Sequence, residues 1–301
     1  MGPLRSIPLR VRIFTIVAAA FLFAGIAWVF YQEATFLHGV VIENETDPLS
    51  QDVSILPDSL TYLDYTIVRT LDPQDSTYGV AIFKNKQRVW RSREETIRPE
   101  YNEVKLVSLL RDGAKQLFVQ HFSGGAHCCW TSIILELSDS VHTLFHSDDY
   151  TDLGYQLTMS DLDRDGMMDL HMTIITFDYF DRLTHAISPI SSAYFSYSPS
   201  TRRFVLTSRK FSSLILNKTW EHEQRVKAIA DTTDFDRFED IRGDYLSSVL
   251  KVLMDDVFAG QKEKGWKFFD TWYRLADKDQ MKRKIQQTFE ASTVYQELYP
   301  E

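Results

Sequence analysis

Apolar and polar positions alternate with a period of two along much of the chain between residues 60 and 210. The segments "YTIVRTL", "YGVAIFK", "VKLVSLL", "QLFVQHF", "WTSIILEL", "LHMTIITF", "AYFSYS" and "RFVLTS" carry the pattern, each rich in Val, Ile, Thr or aromatic residues. Turn chemistry lies between them at Lys84-Asn85-Lys86, Arg111-Asp112-Gly113 and Ser198-Pro199-Ser200. An antiparallel β-meander follows, arranged as a partial propeller, a sandwich or a curled sheet. A closed propeller, with at least four blades of four strands, needs more chain than this.

Beyond about Asp236 the period lengthens to that of a helix. Tyr245, Leu246, Val249, Leu250, Leu253 and Val257 share one helical face, and Gly260 ends it. Trp266, Phe269, Trp272 and Tyr273 mark a second helix, and Asp277 is placed to cap a third that carries Met281, Ile285 and Phe289. Three amphipathic helices in succession predict a small bundle, or a layer on one side of the sheet.

The N-terminal pattern differs from both. Ile13 to Tyr31, "IFTIVAAAFLFAGIAWVFY", is uncharged and long enough as a helix to cross a hydrocarbon core. Arg5, Arg10 and Arg12 precede it and Glu33 is the first charge beyond it. By the positive-inside rule, residues 1–12 are expected in the cytoplasm, 13–31 in the membrane, and the bulk in the periplasm or outside the cell. Gly25-Ile26-Ala27 resembles a signal-peptidase site, but the apolar run continues through Trp28 to Tyr31, which favours an uncleaved anchor. Residues 32–59 are polar and turn-rich and read as a linker.

The expected fold class is therefore α+β: an N-terminal transmembrane helix, an antiparallel β-meander domain at 60–210, a connector at 211–235 and a C-terminal helical bundle at 236–301. With 44% hydrophobic and 25% charged residues the composition is that of folded protein. A net charge of −9 argues against nucleic acid as a partner, because phosphate recognition needs a basic face.

The sharpest chemical signal is "MSDLDRDGMMDLHM", residues 159 to 172. Asp161, Asp163, Asp165 and Asp169 can converge on one hard cation because Gly166 permits a tight turn, and a backbone carbonyl near Met167 adds an oxygen. An EF-hand would require Glu at the twelfth loop position, where Met172 stands, and helices on both sides, where strands are expected. The run resembles the calcium loops of FG-GAP or VCBS-type repeats, β-hairpin modules of integrin alpha-chain propellers and many exported bacterial proteins. The resemblance covers one hairpin and implies that Asp161, Asp163, Asp165 and Asp169 bind Ca²⁺. Asp148, Asp149 and Asp152 could add a ligand, although a solvated loop is the simpler reading for them, as it is for Asp178 and Asp181.

A second unusual stretch is "HFSGGAHCCW", residues 121 to 130. Cys128 and Cys129 are the chain's two cysteines, and a vicinal bridge between them would be strained because adjacent Cα atoms are closer than a disulfide prefers. The alternative is two thiols on opposite faces of a strand. His121 and His127, with His171 and Met172 as further donors, could form a soft-metal site with the thiols, but no spaced Cys pair supports one. A nucleophile elbow at Ser123 lacks its preceding glycine. The stretch is similar to an "SGGAHCC" segment of exported bacterial proteins that also carry an aspartate loop, a likeness that implies no activity.

The expected function is a membrane-anchored, exported calcium-binding module that binds or scaffolds a protein partner. Redox or soft-metal handling through the cysteines is the alternative, and a hydrolase is less well supported, since no acid, base and nucleophile stand at recognisable spacing.

Overall fold

The structure is a computed structural model that describes residues 59–72, 77–92, 103–124, 130–233, 235 and 241–300. Within them the strands form three antiparallel sheets of four, and in every sheet the strands are neighbours in chain order. Sheet 1 contains β1 (Ser59–Tyr62), β2 (Tyr65–Asp72), β3 (Thr77–Lys84) and β4 (Gln87–Arg91). Sheet 2 contains β5 (Glu103–Val107), β6 (Gln116–Phe122), β7 (Trp130–Leu137) and β8 (Val141–His146). Sheet 3 contains β9 (Leu153–Ser160), β10 (Asp169–Ile174), β11 (Ser191–Ser198) and β12 (Arg203–Leu206).

Local chemistry sets the hairpins. Asn85 and Lys86, at φ 52° and 64°, form the two-residue turn that pairs Lys84 with Gln87, a left-handed conformation that matches strand twist and suits asparagine. Sheet 2 is buried on both faces. Leu117, Val119, Ile133 and Leu135 point toward Tyr65, Ile67, Val80 and Ile82 of sheet 1 and share one core with them. On the other side Phe145 meets Phe195 of β11 edge-on at 5.0 Å. Polar residues on these buried faces are matched: Gln116 Oε1 accepts Leu109 N–H at 2.8 Å, and Gln120 Nε2 donates to Ser132 Oγ at 2.9 Å.

The helices cover sheet 3. They are α1 (Ser212–Ile215), α2 (Thr219–Thr232), α3 (Ile241–Phe258), α4 (Lys262–Trp272), α5 (Lys278–Ala291) and α6 (Thr293–Leu298). Gly260, at φ 86°, stops α3, and Gln261 N–H reaches back to Asp256 O at 2.7 Å. The α3 residues Tyr245, Leu246, Val249, Leu250, Leu253 and Val257 are all at 0% exposure, and so are Val252, Met254 and Phe258 on its other sides. The helix is therefore a central element with neighbours all round, a wider burial than a one-sided stripe. Phe289 of α5 links three segments, with ring centroids 5.0 Å from Phe177 and 5.8 Å from Phe258.

The expected fold class is corrected on two points. The strands make three successive four-stranded sheets, each with the strand count of a propeller blade, where one meander was expected. The C-terminal helices include α2 inside the expected connector, and α3 lies against β11 through the Ser191–Asp255 hydrogen bond. Among the described residues no helix is long and apolar enough to cross a membrane; the expected transmembrane segment, residues 13–31, lies outside the described residues.

Asp255 joins these layers. Its Oδ1 accepts Ser191 Oγ at 2.9 Å and Lys251 Nζ at 2.6 Å, while Oδ2 accepts Thr219 Oγ1 at 3.0 Å and Lys251 Nζ at 2.7 Å. At 1% exposure this carboxylate has no access to water, and removing it strands two hydroxyls and an ammonium. Asp255→Ala is expected to lower stability by about 3 kcal/mol, read from urea unfolding followed by tryptophan fluorescence; an unchanged midpoint would show that the network is not what holds α2 and α3 to β11.

Candidate functional site

The β9–β10 hairpin carries the aspartate loop, with Ser160 and Asp169 paired at its base. The loop folds because its carboxylates bind its own backbone. Asp161 accepts the N–H of Asp165 at 3.0 Å and of Gly166 at 2.9 Å, one on each oxygen. Asp163 Oδ1 also accepts Asp165 N–H at 3.1 Å, and Asp165 Oδ1 accepts Met167 N–H at 2.8 Å. Asp169 closes the ring by accepting Leu162 N–H at 3.1 Å.

Two backbone positions are left-handed, Arg164 at φ 61° and Gly166 at φ 81°. The second favours glycine for its positive φ, and the Arg111 guanidinium lies close beside it. Met168 N–H donates to Leu109 O at 2.9 Å and ties the loop to the β5–β6 connection. Leu162 packs with Phe211, Ile215 and Ala259, so one side of the loop rests on the helical layer.

Oxygens of Asp161, Asp163 and Asp169 lie within 4.8 Å of one another, a spacing from which one cation can be held. Asp165 does not share that point; its carboxylate caps the Met167 N–H. Two residues that no sequence pattern pointed to complete the surroundings. Ser196 Oγ on β11 donates to Asp169 Oδ1 at 2.6 Å, and Lys210, beyond β12, forms an ion pair with Asp163. The Lys210 ammonium lowers the Asp163 pKa, and Asp163 raises that of Lys210 in return. Asp169, 4% exposed, is pushed up by burial against the opposing pull of Ser196 and the Leu162 N–H.

The fit to a hard divalent ion is partial and chemically coherent. All side-chain donors at the point are carboxylate oxygens, as Ca²⁺ prefers, and a lysine now supplies a fraction of the charge that such an ion would bring.

The neighbouring acids have other duties. Asp148 accepts Thr131 Oγ1 at 3.2 Å, and Asp149 pairs with Arg203 at 2.6 Å. Asp152 is 7% exposed, where a solvated loop was expected. It accepts Thr176 Oγ1 at 2.7 Å and Thr293 Oγ1 at 3.1 Å, and also Ser292 Oγ, which itself caps α6. Asp178 holds His185 Nδ1 at 2.6 Å, and Asp181 pairs with Arg182 and Lys284.

Of the expected soft-metal donors, His127, Cys128 and Cys129 lie outside the described residues. His121, at the end of β6, is 2% exposed, and burial lowers its pKa to about 4, with Arg69 and His146 acting in the same direction. His171 is likewise lowered to about 4 by burial. Its two nitrogens meet Thr158 Oγ1 and Ser192 Oγ, each at 3.1 Å, so it is a half-buried residue with both ring nitrogens hydrogen-bonded. Met172 is at 0% exposure in the core.

Comparison of the chain with protein-family models, curated proteins and solved structures gave no match.

Proposed function

We propose that this chain is a calcium-binding module in which the ion is structural and the loops it orders contact a protein partner. The observation that carries the reading is the convergence of Asp161, Asp163 and Asp169 oxygens at one hairpin. Their mutual repulsion is only partly relieved by Lys210, and a divalent cation would relieve the remainder. The resemblance of the loop to FG-GAP-type calcium loops supports the same reading. In it, Asp161, Asp163 and Asp169 supply oxygens directly, Asp165 holds the turn through Met167 N–H, and Ser196 orients Asp169. Because Leu109 and Leu162 tie the loop to sheet 2 and to the helices, an ion there would stiffen the junction of all three layers.

Three outcomes follow from this arrangement. At calcium a hundredfold above Kd, stabilisation of about 2.7 kcal/mol is expected, a rise in melting temperature of roughly 5–10 °C. The double substitution Asp161→Ala/Asp163→Ala should abolish the rise; equal shifts in wild type and variant would remove the proposal. Lys210→Met, which withdraws the resident ammonium, should tighten calcium binding in titration calorimetry by roughly three- to tenfold.

The pH dependence has a definite sign. Asp169 has its folded pKa raised above the ordinary 3.8, so in metal-free protein its contribution favours the fold at low pH and is lost as pH rises through the folded value. Calcium requires the ionised carboxylate, so the calcium-induced shift in melting temperature should grow with pH across the interval just above 3.8. Thermal scans at stepped pH, with and without calcium, measure this difference.

A further inference from the structure

A cleft of about 460 Å³ opens where β8 and β12 meet α6, well within the size range of small-molecule sites. Its base is apolar, formed by Phe145 and Phe204 at 2% and 4% exposure, with Val205 beside them. Tyr150 stands in the wall and donates its hydroxyl to Glu297 Oε2 at 2.8 Å, while Glu297 Oε1 accepts Leu206 N–H at 3.2 Å. At the rim Arg203 Nη2 donates to Asp149 Oδ2 at 2.6 Å, and the two side chains are 49% and 51% exposed. Among the described residues Arg203 makes no other hydrogen bond, so the rest of its guanidinium fork and the second Asp149 oxygen remain available. Burial raises the Tyr150 pKa, Glu297 and Asp149 add to the rise, and Arg203 opposes it.

We propose that this cleft binds a free α-amino acid with an apolar or aromatic side chain. An α-amino acid carries its ammonium and carboxylate on atoms flanking a single carbon. The Arg203–Asp149 pair presents adjacent opposite charges in the reverse sense, so the ligand carboxylate can take the open side of the guanidinium while its ammonium takes the free Asp149 oxygen. The ligand side chain then lies over Phe145 and Phe204. Charge balance separates this class from others. Two carboxylates and one guanidinium line the cleft together with the His146 imidazole, so a simple organic acid or a phosphate meets two carboxylates with nothing to match them, whereas a simple amine leaves the open guanidinium donors unmatched. The site shares no side chain with the aspartate loop and does not depend on calcium.

Titration calorimetry of the full chain with L-phenylalanine, phenethylamine and 3-phenylpropanoate tests the proposal, since the second probe lacks the carboxylate and the third the ammonium. Saturable binding of L-phenylalanine is expected, with each single-charge probe weaker by at least about tenfold, equivalent to ~1.4 kcal/mol. Arg203→Gln, at a half-exposed position, should keep the wild-type circular dichroism spectrum and lose the preference of L-phenylalanine over phenethylamine. No saturation with L-phenylalanine up to its solubility, similar affinities for the three probes, or an unchanged preference in Arg203→Gln would each overturn it.

Discussion

A carboxylate taken out of water is costly unless donors meet it, and four buried aspartates join segments of this protein, three with both oxygens bonded and Asp256 with one oxygen left without a partner among the described residues. Asp152, Asp169, Asp255 and Asp256 are at 7%, 4%, 1% and 0% exposure. Asp152 connects the start of β9 to the N-terminus of α6, Asp169 connects the loop hairpin to β11, and Asp255 connects β11 to α2 and α3. Asp256 reaches Lys264 on α4 at 2.7 Å, and burial raises its pKa against that ammonium. The Asp152, Asp169 and Asp255 networks join segments far apart in the chain, whereas Asp256 joins two consecutive helices. The hydrophobic faces bring sheets and helices together without direction, and the aspartates fix which residues face one another.

How much of this the sequence reveals depends on how much of each element is buried. Strands β2, β3, β6, β7, β10, β11 and β12 are legible because they are rich in β-branched and aromatic residues that pack on a core. Strand β4 is exposed at most positions, and β1 has four residues, so neither carries a readable period. The division into three sheets is invisible for another reason: alternation says which side of a strand is apolar, and nothing about which strands pair. Helix α2 escapes because its buried residues, Thr219, Val226 and Ala230, are too few to make a stripe in a polar segment. Asp277 does stand at the start of α5, but its side chain makes no cap; it pairs with Arg182 and accepts Tyr273 OH at 2.9 Å. A capping residue read from sequence can thus be diverted by stronger partners that only the fold supplies.

The aspartate loop was legible for the opposite reason. Its aspartates, its turn glycine and its internal hydrogen bonds fall within a few residues, so local spacing contains most of the geometry. Ser196 and Lys210 were not legible, because the β11–β12 hairpin and the chain beyond it bring them to the loop from a distance. The same applies to Asp152, whose neighbours suggested a solvated turn while its partners lie just beyond β10 and at the start of α6.

Asp255 and the loop also differ in how completely their charge is answered. Asp255 has four contacts for two oxygens, a single ammonium against a single carboxylate, and two hydroxyls to finish the shell. At the loop, three carboxylates approach within 4.8 Å, and apart from Lys210 their partners are backbone N–H groups and one hydroxyl. Those neutral dipoles orient the oxygens but leave their charges uncancelled, and Asp165 adds a fourth charge beside them. Such an arrangement is costly as a purely structural turn, since the Asp255 network achieves the same cross-linking with one acid. Four carboxylates against one ammonium leave an excess of negative charge that a divalent ion would reduce, and that mismatch is the physical ground for proposing calcium at the loop.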